Sequence, residues 1–222
     1  MTVYDKPQPK SDALDHIRIA VALIPTEPLF SNIIEASQAI TRQFQNFNII
    51  DKNVFPPHAC LHICTISKDK LPHFLKIINQ LSNTTFPIFD PSILIKGSTG
   101  YISFQLNISP LIRSLHESVL SAALTVRGDD YQEDPARLAR LSVADRLSFQ
   151  KYGNRFIFDK FNLHISIAKV AQEHQDEAFE IAKTILSTPK ATPAAAIQVC
   201  DIGMRSEKWI VLYSKKMQGK RH

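Results

Sequence analysis

Apolar residues along this chain recur with two different periods, and the switches between them outline the elements. Residues 17–24 are a nearly unbroken apolar run, the pattern of a buried strand. Across 31–47, Ile33, Ala36, Ile40, Phe44 and Phe47 recur at helical spacing, with Ser31 as a candidate cap. A strand is expected near 59–66, a helix over 70–81, and then a hairpin: 92–96, the turn Gly97-Ser98-Thr99-Gly100, and 101–106. Ser109 before Pro110 suits a helix start, and Leu111, Ile112, Leu115, Val119, Ala122 and Ala123 continue that helix.

The second half runs through the same kinds of element. An irregular connection at 127–136 leads to a helix at 142–152, with Asp145 in the capping-box position, and to a strand at 161–168. A helix at 176–186 carries Ala178, Ile181, Ala182 and Ile185 on one face. A second hairpin follows, with strands at 195–202 and 209–213 and a turn near Arg205-Ser206-Glu207. The strands at 59–66 and 161–168 are therefore each followed by helix, strand, turn and strand, which reads as an internal duplication.

Those two strands share a motif. Leu61-His62-Ile63-Cys64-Thr65-Ile66 and Leu163-His164-Ile165-Ser166-Ile167-Ala168 each set a histidine two positions before a small polar residue. The side-chain period of a strand is two, so His62 shares a face with Cys64, and His164 with Ser166. Four of the eight histidines match His-x-Cys or His-x-Ser, so the pattern does not discriminate alone. His116 matches too, but on the helix begun at Ser109, where residues two apart face different ways. His58 is a rival on the His62 face by parity; Pro56-Pro57 before it reads as a strand entrance. Duplicated halves meeting about a pseudo-twofold axis would bring His62 and His164 to one site.

Composition narrows the classes. The 222 residues suit one large domain or two small lobes, and no apolar run approaches the ~20 residues of a membrane span. Three cysteines do not make a disulfide framework, so a reducing, cytoplasmic setting is expected. A net charge of +5 is compatible with an anionic ligand such as RNA, and the basic stretch 215–221 reads as a solvated tail. His58, Cys60, His62 and Cys64 are all potential metal ligands, but same-face strand neighbours lie about 6.6 Å apart and four cannot converge on one ion. No metal and no cofactor is expected. P-loop, GxGxxG and GxSxG patterns are lacking.

His62-Ile63-Cys64-Thr65 and His164-Ile165-Ser166-Ile167 resemble the paired His-x-Thr/Ser-x motifs of the 2H phosphoesterase superfamily, which includes the LigT-like 2′-5′ RNA ligases and cyclic phosphodiesterases. The resemblance spans roughly residues 17–213. The stretch from Leu141-Ser142 through Lys151-Tyr152-Gly153 to His164-Ile165-Ser166 is also similar to a branch associated with phosphonate metabolism. The resemblance implies an α+β fold: a single bilobal domain over 1–222, two pseudo-symmetric lobes of mainly antiparallel sheet with helices outside, and a central cleft lined by the motifs. Where Thr or Ser is usual, this chain has Cys64, a weaker donor to phosphate.

The expected chemistry is metal-independent hydrolysis of a 2′,3′-cyclic or 2′-5′ phosphodiester in a nucleotide or RNA, by a monomer. One of His62 and His164 serves as base and the other as acid, their roles set by substrate orientation. Ser166 and, less well, Cys64 hold the phosphate oxygens. Tyr101 and Trp209, at corresponding hairpin positions, are candidates to stack on a base, although packing is the commoner use of such aromatics. Arg18, Lys96, Arg155 and Lys169 are candidate phosphate neighbours. Two other readings stand beside the enzyme: a non-catalytic RNA- or nucleotide-binding module, and a partner-binding protein with a vestigial cleft.

Overall fold

A computed structural model describes residues 15–83, 87–127, 138–186, 190–203 and 209–217. Most of the expected irregular connection, the turn at Arg205-Ser206-Glu207 and the end of the basic tail lie outside the described residues. The strands are β1 (His16–Pro25), β2 (Ala59–Ser67), β3 (Ile88–Phe89), β4 (Pro91–Lys96), β5 (Tyr101–Leu106), β6 (His164–Lys169), β7 (Thr192–Asp201) and β8 (Ile210–Lys216). The helices are α1 (Leu29–Gln43), α2 (Leu71–Ser82), α3 (Pro110–Val126), α4 (Val143–Tyr152) and α5 (Gln175–Ile185).

Local chemistry accounts for the helix starts. The Ser109 hydroxyl accepts from the Ile112 amide at 3.2 Å, and the Ser142 hydroxyl from the Asp145 amide at 3.1 Å, so both serines satisfy otherwise orphaned donors. The Asp145 carboxylate instead pairs with Lys160 at 2.6 Å. Ser31 is not a cap. α1 begins two residues earlier, and the Glu27 carboxylate accepts from the Ser31 amide at 3.2 Å.

The fold is α+β, with five helices and an antiparallel sheet of eight strands among the described residues. Its order is β3-β7-β1-β2-β6-β5-β4, with β8 also on β7. Each hairpin crosses to the other half. β4–β5, which follows the first motif strand, pairs with β6, while β7–β8, which follows the second, pairs with β1. The two motif strands meet through one pair, Ala59↔Ile165, and then diverge.

One face of the sheet is apolar and covered. Ile19, Val21 and Leu23 of β1, Ile197 and Val199 of β7, and Ile165 and Ile167 of β6 join a core with Ile33 and Ile40 of α1, Phe74 and Ile78 of α2, and Ile112, Leu115 and Val119 of α3. The Ala59 and Ile165 side chains belong to this core and are fully buried. Their neighbours on either side, His58, Cys60, His164 and Ser166, therefore point to the opposite face.

Candidate active site

A β-bulge decides which histidines meet. Along β1 and β2, Val21 pairs with His62 but Ala22 pairs with Cys60, so Leu61 is an extra residue in β2. The alternation reverses there. His62 and Cys64 turn to the helix-covered face, where they are 1% and 2% exposed. β6 has the same device: Ser103 pairs with Ser166 and Ile102 with Ala168, leaving Ile167 as the extra residue. The two strands thus superpose as His58-Ala59-Cys60-Leu61-His62 on His164-Ile165-Ser166-Ile167-Ala168. His62 is the counterpart of Ala168. The counterpart of His164 is His58.

This corrects the expected pairing of His62 with His164. Around the Ala59↔Ile165 bridge, the antiparallel register sets His58 opposite Ser166 and Cys60 opposite His164, a local twofold arrangement. Both histidines are tied in the same way. Nδ1 of His58 lies 2.8 Å from the Pro56 carbonyl, and Nδ1 of His164 lies 3.4 Å from the Asn162 carbonyl, again two residues back. A carbonyl only accepts, so each Nδ1 is the donor and each Nε2 is left free for a ligand. Burial pulls the His58 pKa down to about 4, helped by the charge of His164 and opposed by the Pro56 carbonyl. Crowding by the surrounding protein also lowers His164, against the Asn162 carbonyl, although its ring opens to solvent.

The remaining expected site residues distribute as follows. Ser166 stands beside His164, half-buried. Cys64 is in the core against Gly153, and Cys60 takes the corresponding place on the motif face. The Cys60 thiol is turned toward the His62 and Val21 carbonyls, at 3.5 and 3.7 Å. Its pKa is pushed up to about 12 by burial, so it stays a neutral, weak donor. Trp209 reaches the site, but its ring packs on His58 at a tilt of 43° with centroids 3.8 Å apart and meets the edge of Phe55 at 5.0 Å. It braces the imidazole. Tyr101 is four residues along β5 from Gln105, about 13 Å, and the Lys169 ammonium sits over its ring at 4.9 Å. It is remote from the histidines. Lys96, also far along the hairpin, pairs with Asp176 at 2.7 Å.

Two residues on the motif face escaped the sequence reading. Gln105 pairs with His164 and Ser103 with Ser166, so both side chains project beside the second motif. Their signal was the polar alternation of Ser103 and Gln105 in 101–106, opposite buried Ile102, Phe104 and Leu106. For His58 the signal was the strand entrance itself: it stands immediately before β2, much as β6 begins at His164.

His62 has a different environment. Its ring is 6.3 Å from that of His116, which stacks on Phe161 at 3.8 Å and reaches the Leu61 carbonyl through Nδ1 at 2.7 Å. Neither ring nitrogen of His62 has a hydrogen-bond partner of good geometry, although the Tyr152 backbone lies near enough to favour the charged ring. Burial pulls its pKa down to about 3, with the charges of His116 and Arg127 adding to the shift and the Tyr152 backbone opposing it. Among the described residues, no three His, Cys, Asp or Glu side chains gather where a metal ion could be held, and no helix is long and apolar enough to cross a membrane.

No protein-family model matches the chain, and neither does any curated protein. Solved structures do match. TT0787 of Thermus thermophilus aligns with a TM-score of 0.51 at 12% identity, over 92% of this chain and 100% of that one. E. coli LigT in its apo form aligns with a TM-score of 0.51 at 11% identity, over 91% of this chain and 98% of that one. The chain therefore shares the fold of TT0787 and E. coli LigT over nearly its whole length.

Proposed function

We propose that this protein is a metal-independent phosphodiesterase that opens 2′,3′-cyclic or 2′-5′ phosphodiesters of nucleotides or RNA, with His58 and His164 as its acid–base pair. The Ala59↔Ile165 bridge carries the reading: it sets two His-x-small motifs about a local twofold with both Nδ1 atoms held by carbonyls. The LigT-like fold supports the same chemistry.

His58, the weaker proton holder, suits the base. It takes a proton from water as the water oxygen bonds to phosphorus. The bond from phosphorus to the ribose oxygen breaks, and protonated His164 gives its proton to that leaving oxygen. A bound phosphate raises the pKa of His164 toward the value this role needs, because a nearby anion favours the imidazolium. Ser166, Ser103 and Gln105 lie on the face where non-bridging oxygens would be held as charge builds. The Trp209 and Phe55 rings keep His58 in place.

The test is hydrolysis of nucleoside 2′,3′-cyclic phosphates and 2′-5′-linked dinucleotides in EDTA. His58→Ala and His164→Ala should each lower kcat about 10²–10⁴-fold, while His62→Leu should stay within about threefold of the parent. A parent protein with no turnover on either substrate removes the proposal. Turnover that survives His58→Ala but not His62→Leu removes the pairing. The inward-turned Cys60 thiol favours one other reading, a nucleotide-binding module without turnover. Oligonucleotide binding without hydrolysis would select it.

A further inference from the structure

Beyond its single shared bridge, β2 is free of β6, and a cavity of about 390 Å³ opens along the free edge. Its lining includes Arg18, Arg140 and Arg155, with Ile63, Phe149 and Phe156 between them. None of the described lining residues is acidic. Among the described residues, Arg140 and Arg155 make no ion pair. The nearby Asp145 carboxylate, whose field reaches Arg155, is held by Lys160 at 2.6 Å. The Arg155 guanidinium lies over the half-exposed Phe156 ring, 4.6 Å from its centre.

The cavity faces the motif histidines along the sheet. On β1, Arg18, Ala20 and Ala22 alternate onto one side, and Ala22 is the partner of Cys60. Ile63, the partner of Ala20, is on that side too. Arg18 is four residues from Ala22, so cavity and motif are separated by about 13 Å of strand. At a rise of ~3.4 Å per nucleotide, that is about four nucleotides of a helical strand.

We infer that this cavity holds a second phosphate of the substrate, so that the preferred substrate is an oligonucleotide whose 3′ end carries the reacting phosphodiester. The inference rests on the phosphodiesterase reading and names its substrate class. Guanidinium forks match phosphate oxygens in pairs, and the apolar walls lower the local dielectric. Phe156 offers a face for a base of the same strand. A mononucleotide bound at His58 and His164 reaches none of these groups. The inference concerns recognition alone, and bond breaking stays with the two histidines.

The experiment compares kcat/KM for a tetranucleotide ending in a 2′,3′-cyclic phosphate with that for a mononucleoside 2′,3′-cyclic phosphate. In the Arg140→Ala/Arg155→Ala variant the tetranucleotide-to-mononucleotide ratio should fall about tenfold or more. If the parent protein hydrolyses both substrates and the ratio does not change, the second-phosphate site is overturned and the phosphodiesterase reading stands. If it hydrolyses neither, the phosphodiesterase reading fails, and anisotropy with a 5′-fluorescein tetranucleotide decides the cavity. Binding lost in the variant then upholds the cavity as an oligonucleotide site; no binding, or equal binding, overturns it.

Discussion

His62→Leu should stabilise this protein and make its stability less sensitive to acid. The imidazole is 1% exposed, neither nitrogen has a hydrogen bond of good geometry beyond the approach of the Tyr152 backbone, and its pKa is pulled down to about 3 by burial. A buried polar group without a partner costs about 1–3 kcal/mol, which a leucine of similar size avoids. The pH dependence follows from linkage. Because the folded pKa is depressed, the neutral ring is no handicap above the unfolded value of about 6.5. Below it the unfolded chain takes up a proton that the folded chain refuses. Stability is therefore lost as pH falls from about 6.5 toward about 3. The slope is about 1.4 kcal/mol per pH unit, or close to 3 kcal/mol at two units below. Urea unfolding of parent and variant at pH 7.5 and 4.5 measures this. His58 contributes to both proteins and cancels in the difference, which therefore reads His62 together with its coupling to His116. The variant should match or exceed the parent at pH 7.5 and lead it by about 3 kcal/mol more at pH 4.5. Equal pH slopes would refute the claim that His62 is held neutral in the core. A loss above about 2 kcal/mol at pH 7.5 would refute the claim that its nitrogens lack a hydrogen bond of good geometry.

The two cysteines separate site from core. Cys60→Thr should raise kcat on a cyclic phosphate about tenfold through a stronger donor, whereas Cys64→Thr should leave kcat unchanged and cost about 1–3 kcal/mol for a hydroxyl buried in the core, read by assay and urea melt. The profile of kcat/KM should peak below about pH 6.5 and fall about tenfold per unit above the peak, because both His58 and His164 have lowered pKa values and one must be protonated; a peak above pH 7.5 contradicts this. Gly153→Ala should cost about 1–2 kcal/mol: Gly153 has φ +74°, and a Cβ there would lie 3.0 Å from Arg127 Nη1 and 3.2 Å from Cys64 Cβ. Calorimetry should show a fall in Tm of about 3–6 °C.

Much of the fold is legible in one dimension. The apolar run around Ile19 and Leu23, the helical stripe of Ile33, Ala36 and Ile40, and the serine caps at Ser109 and Ser142 are local signals, and the elements form where they point. The tandem order of helix, strand, turn and strand after each motif strand is also visible. The exchange of hairpins between the halves is not, because which strand pairs with which depends on contacts far apart in sequence. β3, two residues long, is too short for any period to show. In the second motif His164 opens its strand and no bulge intervenes before Ser166, so the alternation read from the sequence holds between the two.

The first motif shows where sequence stops and tertiary structure takes over. The chain alone determined that the strand after Pro56-Pro57 alternates polar and apolar side chains, that it contains two histidines four apart, and that a partner motif lies at His164. It could not determine which histidine reaches the partner, because parity carries a pattern along a strand only while pairing is regular. Leu61, squeezed out between the Val21↔His62 and Ala22↔Cys60 pairs, reverses the alternation and sends His62 and Cys64 into the core. A bulge is a property of two paired strands. Only once β1 lies beside β2 and Ala59 meets Ile165 does the register set His58, and not His62, opposite Ser166.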